Sequence, residues 1–402
     1  MIGLAEIEAA RLRIADAAEV TQLLASRALS ALVGRDVRLK AENLQRTGSF
    51  KIRGAVNRLA TMAPEVRARG VVAASAGNHA QGLAFAARSL GVPVTIVMPE
   101  LTSITKVEAT RALGARVVLA GATYDDAHAR AAALTAETGA TYVPAFDDDD
   151  VIAGQGTVGL EVAEQCPEAA VVVIPIGGGG LCAGSALALK SRLPGVKVIG
   201  VQAAGAAAAL AARRSGRPVR LDRIGTIADG IALKCVGERT FPLLERYVDD
   251  IVTVEEEEIA EAILLLMEKV KLIAEGAGAV PLAALLAGRV PAADGPTVLV
   301  LSGGNIDVTL ISRIIERGLI RAGRLIRFTV DLPDRPGQLA RISTLVGEAG
   351  GNILHVLHDR GSLDLPVAWT RIRMDVETRG DAHAVEIVRR IAEAGFSLRR
   401  LG

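Results

Sequence analysis

The chain has 402 residues, half of them hydrophobic, enough for two or three domains with a large core. A net charge of +1 offers no field for nucleic acid or an anionic membrane, and an aromatic content of 2% argues against base-stacking platforms. Three cysteines, Cys166, Cys182 and Cys235, make neither a disulfide framework nor a metal knuckle; no signal peptide reads in Met1 to Val20; and the apolar run Ile263–Met267 is cut by Glu268 too soon to cross a bilayer, so the expected compartment is the cytoplasm.

The first informative stretch is Glu42-Asn-Leu-Gln-Arg-Thr-Gly-Ser-Phe-Lys51-Ile-Arg-Gly-Ala55. Gly48 permits a turn, Ser49 is placed to cap a helix, and Ile52, Ala55, Val56 and Leu59 form an apolar stripe behind it. Lys51 therefore falls in a first helical turn. The partial positive charge of a helix start favours a neutral amine there, the form that attacks aldehydes. The alternative is an ordinary surface lysine.

From Val37 to about Arg317, short β-branched runs alternate with helical stretches. The runs are Val71–Ala74, Val94–Met98, Val117–Ala120, Val171–Ile176, Val196–Val201 and Val298–Leu301, with alanine-rich helices such as Ala80–Ser89 and Ser103–Leu113 between them. Near-continuous apolar strands joined by helices predict an α/β fold of parallel sheets covered on both faces. The acidic patch Asp147–Asp150 with Gly154-Gln-Gly156 reads as a junction between two lobes, and Ala206–Ala212 reads as helix.

Three of these strands run into glycine-containing turns. Val71–Ala74 leads into Ser75-Ala-Gly-Asn-His-Ala-Gln-Gly82. Backbone N–H groups converge at such a strand–turn–helix, so Ser75, Gly77, Asn78 and His79 suit a carboxylate, and Asn78 can also donate to a phenolate oxygen. The alternative is a capping turn with His79 as filler. Val171–Ile176 leads into Gly177-Gly-Gly-Gly180-Leu181, followed by a helix. Backbone that must wrap closely round a phosphate explains such a run; a flexible turn is the alternative. The dinucleotide fingerprint is incomplete, because the next strand ends in the amide Gln202 rather than an acid, and a P-loop's Gly-Lys-Ser/Thr is absent. The guest is a monophosphate rather than NAD or ATP. Val298–Leu301 leads into Ser302-Gly-Gly-Asn305, which puts a neutral hydroxyl at a carboxyl strand end, or else caps a helix.

At about Gly323 the pattern changes. A half-solvated strand Arg327–Leu332, the turn Pro333-Asp-Arg-Pro-Gly337 and a helix Gln338–Glu348 come first. Strands near Ile353–Asp359 and Val367–Val376, a helix Ala382–Glu393 and a strand near Ser397–Leu401 follow. That order, βαββαβ, is a ferredoxin-like module.

Lys51 asks for an aldehyde, the glycines for a phosphate, Asn78 for a ring oxygen and Ser302 for a ring nitrogen. Pyridoxal 5′-phosphate has all four. With Glu42–Ala55, Ser75–Gly82, Ala153-Gly-Gln-Gly-Thr157, Gly177–Gly184, Thr226–Gly230 and Ser302–Asn305 in order, residues 10–320 resemble the threonine/serine dehydratases, or threonine ammonia-lyases, of the fold-type II PLP enzymes. The tail, with Asp334-Arg-Pro-Gly-Gln-Leu339 and Gly351-Asn-Ile353, resembles an ACT domain.

The resemblance implies a catalytic domain over 1–322, with a small lobe at about 46–145, and a regulatory ACT domain over 323–402. It implies that Lys51 binds the cofactor covalently and acts as base. Phe50 and Asn78 contact the ring, Gly177, Gly178, Gly179, Gly180 and Leu181 hold the phosphate, and Ser302 meets the pyridine nitrogen. A hydroxyl there leaves that nitrogen neutral and favours elimination over transamination. The implied reaction is deamination of L-threonine to 2-oxobutanoate, and of L-serine to pyruvate, as in isoleucine biosynthesis. A serine-preferring dehydratase of the same fold and a non-catalytic amino-acid sensor are the alternatives. Related serine racemases carry a serine where this chain has Ala76. Metal-dependent relatives carry carboxylates where it has Gln202 and Ala208, so no divalent metal is expected. An amino-acid effector on the tail would use Asp334, Gly337 and Asn352. A homo-oligomer, dimer or tetramer, is expected, with no nucleic-acid or membrane partner.

Overall fold

The structure, a computed structural model, describes residues 2–401. They divide into two compact units, one ending at Ile306 and the other beginning at Asp307.

The first unit holds two sheets. Its six-stranded sheet has the order Leu23–Ala25, Val37–Lys40, Thr297–Val300, Val171–Pro175, Lys197–Ala203, Asp250–Val254. All neighbours are parallel except the first pair. The central strand Val171–Pro175 is buried along its whole length, which is why it reads as an unbroken apolar run. The smaller sheet is fully parallel, in the order Arg116–Leu119, Val94–Met98, Val71–Ala74, Thr141–Tyr142. Its core gathers Ile52, Leu59, Leu83, Ile96 and Met98.

Three helices packed backbone to backbone join these sheets. Glycines in the central helix Asp149–Gln165 make this possible. A Cβ on Gly154 would stand 2.6 Å from the carbonyl oxygen of Arg53, in the helix Lys51–Thr61. One on Gly159 would stand 2.4 Å from that of Ser185, in the helix Gly180–Arg192. The central helix thus fixes the two helices whose first turns carry Lys51 and the glycine run. Gly154 and Gly156 are contact points within that helix, where it meets Arg53 on one side and Gly184 on the other. Asp148, just before them, caps the helix by accepting from the N–H groups of Asp150 and Val151.

A buried ionic cluster reinforces this layer. Arg53 donates to Glu42 at 2.8 Å and to Glu161 at 2.5 Å, and Lys40 pairs with Glu161 at 2.5 Å. Lys40 and Glu42 are fully buried and Arg53 nearly so. Buried charges persist only when paired and hydrogen-bonded, as these are.

The second unit begins with the helix Val308–Arg321 and continues as a four-stranded antiparallel sheet. Its order is Asn352–Asp359, Trp369–Glu377, Leu325–Pro333, Leu398–Arg400. The helices Gln338–Glu348 and Asp381–Glu393 cover one face over a core including Phe328, Ile342, Met374 and Ile387. The βαββαβ order expected of the tail is present.

The expected effector residues do not meet within one unit. Asp334 N–H donates to Ala368, beside the start of the strand Trp369–Glu377, whereas Asn352 is in register with Glu377 at its other end. The strands Asn352–Asp359 and Leu325–Pro333, which flank that middle strand, both run antiparallel to it and hence parallel to each other. The end of one and the start of the other are therefore separated by roughly 27 Å. Asp334 instead pairs with Arg360 at 3.1 Å, and Asn352 donates to Glu377 at 3.1 Å.

Candidate active site

The site lies at the carboxyl ends of the large sheet's strands, where the turn Gly48–Phe50 meets Ser302–Asn305. Phe50 N–H donates to Ser302 O at 3.1 Å and Gly304 N–H to Gly48 O at 2.8 Å. Gly48 has a φ of +71°, as its turn requires. Ser49 does not cap the helix Lys51–Thr61. Phe50 holds the cap position with no side-chain bond, and the buried Ser49 hydroxyl has no partner among the described residues. Ser302 does not cap a helix either, because the next one begins at Val308. Its side chain is buried at the strand end.

Lys51 is the first residue of its helix. Its Nζ donates to the carbonyl of Ala145 at 2.8 Å and lies 5.1 Å from the centre of the Phe50 ring. Burial lowers its ammonium to about 8, only partly opposed by the negative charge of Glu275. A lysine so placed loses its proton readily, so it is no ordinary surface lysine.

At the second turn, the Ser75 hydroxyl accepts from the N–H groups of Gly77 and Ala80, both at 3.3 Å. Asn78 opens the following helix, where the first N–H groups have no partner within the helix. The ring of His79 faces elsewhere. Its Nε2 lies 3.0 Å from the carbonyl of Val143, which can only accept, so Nε2 carries the hydrogen. Burial, and then the charge of Lys51, lowers this imidazole to about 4. His79 can therefore serve a carboxylate only through its backbone.

The glycine run shows why it is glycine. Gly179 has a φ of +101°, and a Cβ on it would stand 2.7 Å from Thr240 Oγ1. A Cβ on Gly178 would strike the Phe146 ring at 2.4 Å. The carbonyl of Gly178 is occupied, accepting from Gly237 N–H and from the buried Thr240 hydroxyl at 2.7 Å. The helix then starts at Gly180, leaving its N-terminal N–H groups to face an anion.

Two side chains that the sequence does not single out complete the cleft. Glu275 is buried and accepts from Asn78 Nδ2 at 2.6 Å. Burial raises its carboxyl to about 7, against the Asn78 bond that lowers it. Asn305 Nδ2 donates to Asn78 Oδ1 at 2.7 Å. Glu275 follows a π-helical turn, Leu266–Val270, and Lys271, which at φ +66° is the sole non-glycine with positive φ among the described residues. Nothing in the local sequence marks that irregular delivery. Gln202, the expected departure from metal-binding relatives, spends its amide internally. Nε2 donates to Ile176 O and Ala206 O, and Oε1 accepts from the N–H groups of Ala209 and Leu210.

A family model described as "Pyridoxal-phosphate dependent enzyme" matches residues 14–303, and one for the ACT domain matches 326–396. The chain belongs to the family of pyridoxal-phosphate dependent enzymes. Its catalytic fold is fold-type II, and its cofactor is pyridoxal 5′-phosphate. It is 46% identical over 402 residues to an L-threonine ammonia-lyase of Thermotoga maritima, covering all of both chains. It is 50% identical over 376 residues to one of Geobacter sulfurreducens, covering 94% of each. A threonine deaminase of Solanum lycopersicum, isoform 2 in its processed form, superposes with a TM-score of 0.75 at 39% identity, over 78% of this chain and 86% of that one.

The residues present fit this cofactor. A part-buried amine with a lowered affinity for its proton suits an aldehyde. A helix start whose preceding carbonyl is tied back suits a phosphate. The neutral Ser302 hydroxyl suits a ring nitrogen, and the Asn78 amide a ring oxygen. Among the described residues no group of His, Cys, Asp or Glu is arranged to hold a metal ion, and no helix is long and apolar enough to cross a membrane.

Proposed function

We propose that this chain is an ammonia-lyase that converts L-threonine to 2-oxobutanoate and ammonia, and L-serine to pyruvate. The observation that carries this reading is the part-buried Lys51 amine at a helix start, with its hold on a proton lowered, in one cleft with the Ser75–His79 turn, Ser302 and the glycine run. Its full-length likeness to proteins named L-threonine ammonia-lyase supports the substrate.

Lys51 would bind the cofactor aldehyde, Phe50 would pack on its ring and Asn78 would donate to its ring oxygen. Ser302 would meet its nitrogen, and the N–H groups of Gly177 to Leu181 would hold its phosphate. When bound, the cofactor supplies an electron sink for the charge left at Cα. Lys51 Nζ would be the base for the α-proton, and desolvation lowers its own hold on a proton, towards about 8. The substrate carboxylate would sit at the turn of Ser75, Gly77, Asn78 and His79, held by backbone N–H groups and the Ser75 hydroxyl.

The tail would bind an amino-acid effector at the Asp334–Gly337 turn. Asn352 joins that site only where a second copy of the unit presents it, in keeping with a dimer or tetramer in the cytoplasm. Turnover of threonine and serine, with and without isoleucine or valine, tests the reading. Purified protein without lysine-bound cofactor and without 2-oxobutanoate formation would overturn it.

A further inference from the structure

An amide oxygen and an amide nitrogen have nearly the same shape, so the cleft alone does not decide which end of Asn78 faces a ligand. Two neighbouring side chains decide it. The carbonyl of Thr47 can only accept, and Asn305 Nδ2 donates to it at 2.9 Å. That fixes the orientation of the Asn305 amide. The same nitrogen donates its other hydrogen to Asn78 Oδ1 at 2.7 Å. The Asn78 oxygen is thereby spent on one side, and Nδ2 is turned to the other, where it donates to Glu275 Oε1 at 2.6 Å. The order Thr47 O, Asn305, Asn78, Glu275 thus runs one way, anchored by a backbone atom.

Two glycines make room for it. A Cβ on Gly48 would stand 2.5 Å from Asn305 Oδ1, and one on Gly303 would stand 2.5 Å from Glu275 Oε1. We propose that Asn305 and Glu275 are positioning residues that hold the Asn78 amide with its nitrogen as the ligand-facing donor, so that Asn78 offers one remaining N–H to the cofactor's ring oxygen. This rests on the reading of the cleft as the cofactor site.

The test compares Asn305→Asp, Asn305→Ala, Glu275→Gln and Glu275→Leu as purified full-length holoenzymes. The readouts are the absorbance band of the lysine-bound cofactor, pyridoxal phosphate affinity on reconstitution, and the unfolding midpoint. In Asn305→Asp the carboxylate would fill the same space yet could donate to neither Thr47 O nor Asn78 Oδ1, so the Asn78 nitrogen would swing towards it. Asn305→Asp is expected to shift the band and weaken affinity roughly tenfold, at least as much as Asn305→Ala. Glu275→Gln keeps an accepting oxygen for Asn78 and should hold affinity within about twofold, where Glu275→Leu does not. An Asn305→Asp protein with wild-type band and affinity would overturn the inference, as would Asn305→Ala proving much worse than Asn305→Asp, or Glu275→Gln matching Glu275→Leu. Wild-type protein that shows no lysine-bound band at all would instead overturn the reading of the cleft, and this inference with it.

Discussion

Lys51 Nζ donates to the carbonyl oxygen of Ala145 at 2.8 Å, across 94 residues of sequence. The lysine enters from a turn beside the large sheet, and the carbonyl lies just beyond the last strand of the small one. The bond holds a poorly compensated amine between the two sheets, and the first prediction follows from it. Lys51→Ala should fold, because the side chain forms one hydrogen bond and no ion pair among the described residues. It should lose the lysine-bound absorbance band, and threonine turnover should fall by about three orders of magnitude or more. Near-normal deamination would contradict the assignment.

Gly179→Asp should purify without cofactor. The position has a φ of +101° and no room for a Cβ beside Thr240, and a carboxylate there would repel a phosphate. Gly179→Ala carries the steric cost alone and should retain more cofactor. Equal occupancy in the wild-type and Asp proteins, measured by released pyridoxal phosphate, would refute the phosphate assignment.

Two buried groups make opposing contributions to stability with pH. His79 is held near 4 against an ordinary 6.5, so its contribution is lost as pH falls from 6.5 towards 4. Glu275 is held near 7 against an ordinary 4.5, so its contribution is full below 4.5 and lost as pH rises towards 7. Each amounts to about 3 kcal/mol at most. In urea titrations of cofactor-free protein, the stability difference between wild type and His79→Gln should shrink on acidification. The difference between wild type and Glu275→Gln should shrink as pH is raised from 4.5 to 7.

Arg53→Leu should destabilise the first unit by about 3–5 kcal/mol, because it strands Glu42 as a buried anion beneath the helix that begins at Lys51 and leaves Glu161 with Lys40 as its sole remaining cation among the described residues. A urea midpoint within error of wild type would show that the cluster is not needed.

Ending the chain after Ile306 should preserve threonine turnover and remove any response to isoleucine or valine. This cut suits the chain better than one at Gly323, which would leave the helix Val308–Arg321 behind with only Ile314 buried. Inhibition as strong as in the full chain would exclude the tail as the effector site. An effector acts only by binding one conformational state better than another.

The parallel sheets were legible because an apolar run such as Val171–Pro175 can be satisfied only by burial on both faces. The turns at Ser75 and Gly177 were legible because glycine after such a strand has few other uses. The edge strand Leu23–Ala25 carries no such pattern. Gly178 read as ligand-binding backbone, yet the Phe146 ring already forbids a side chain there. Ser49, in the right place to cap a helix, does not do so, because Phe50 is the residue at the cap and the Ser49 hydroxyl lies buried beside Gly303.

Element order, the residues at the strand ends and the kind of ligand they suit all follow from the order of amino acids, because they depend on local periodicity and on residue chemistry. The partners of those residues do not. Folding brings Glu275 and Asn305 to Asn78 across 197 and 227 residues, and turns the His79 ring onto Val143. It also sets Asp334 and Asn352 at opposite ends of one sheet. Each of these depends on which strands become neighbours and in which direction they run, and hydrogen-bond partners chosen over such separations leave no mark on the residues adjacent in the chain.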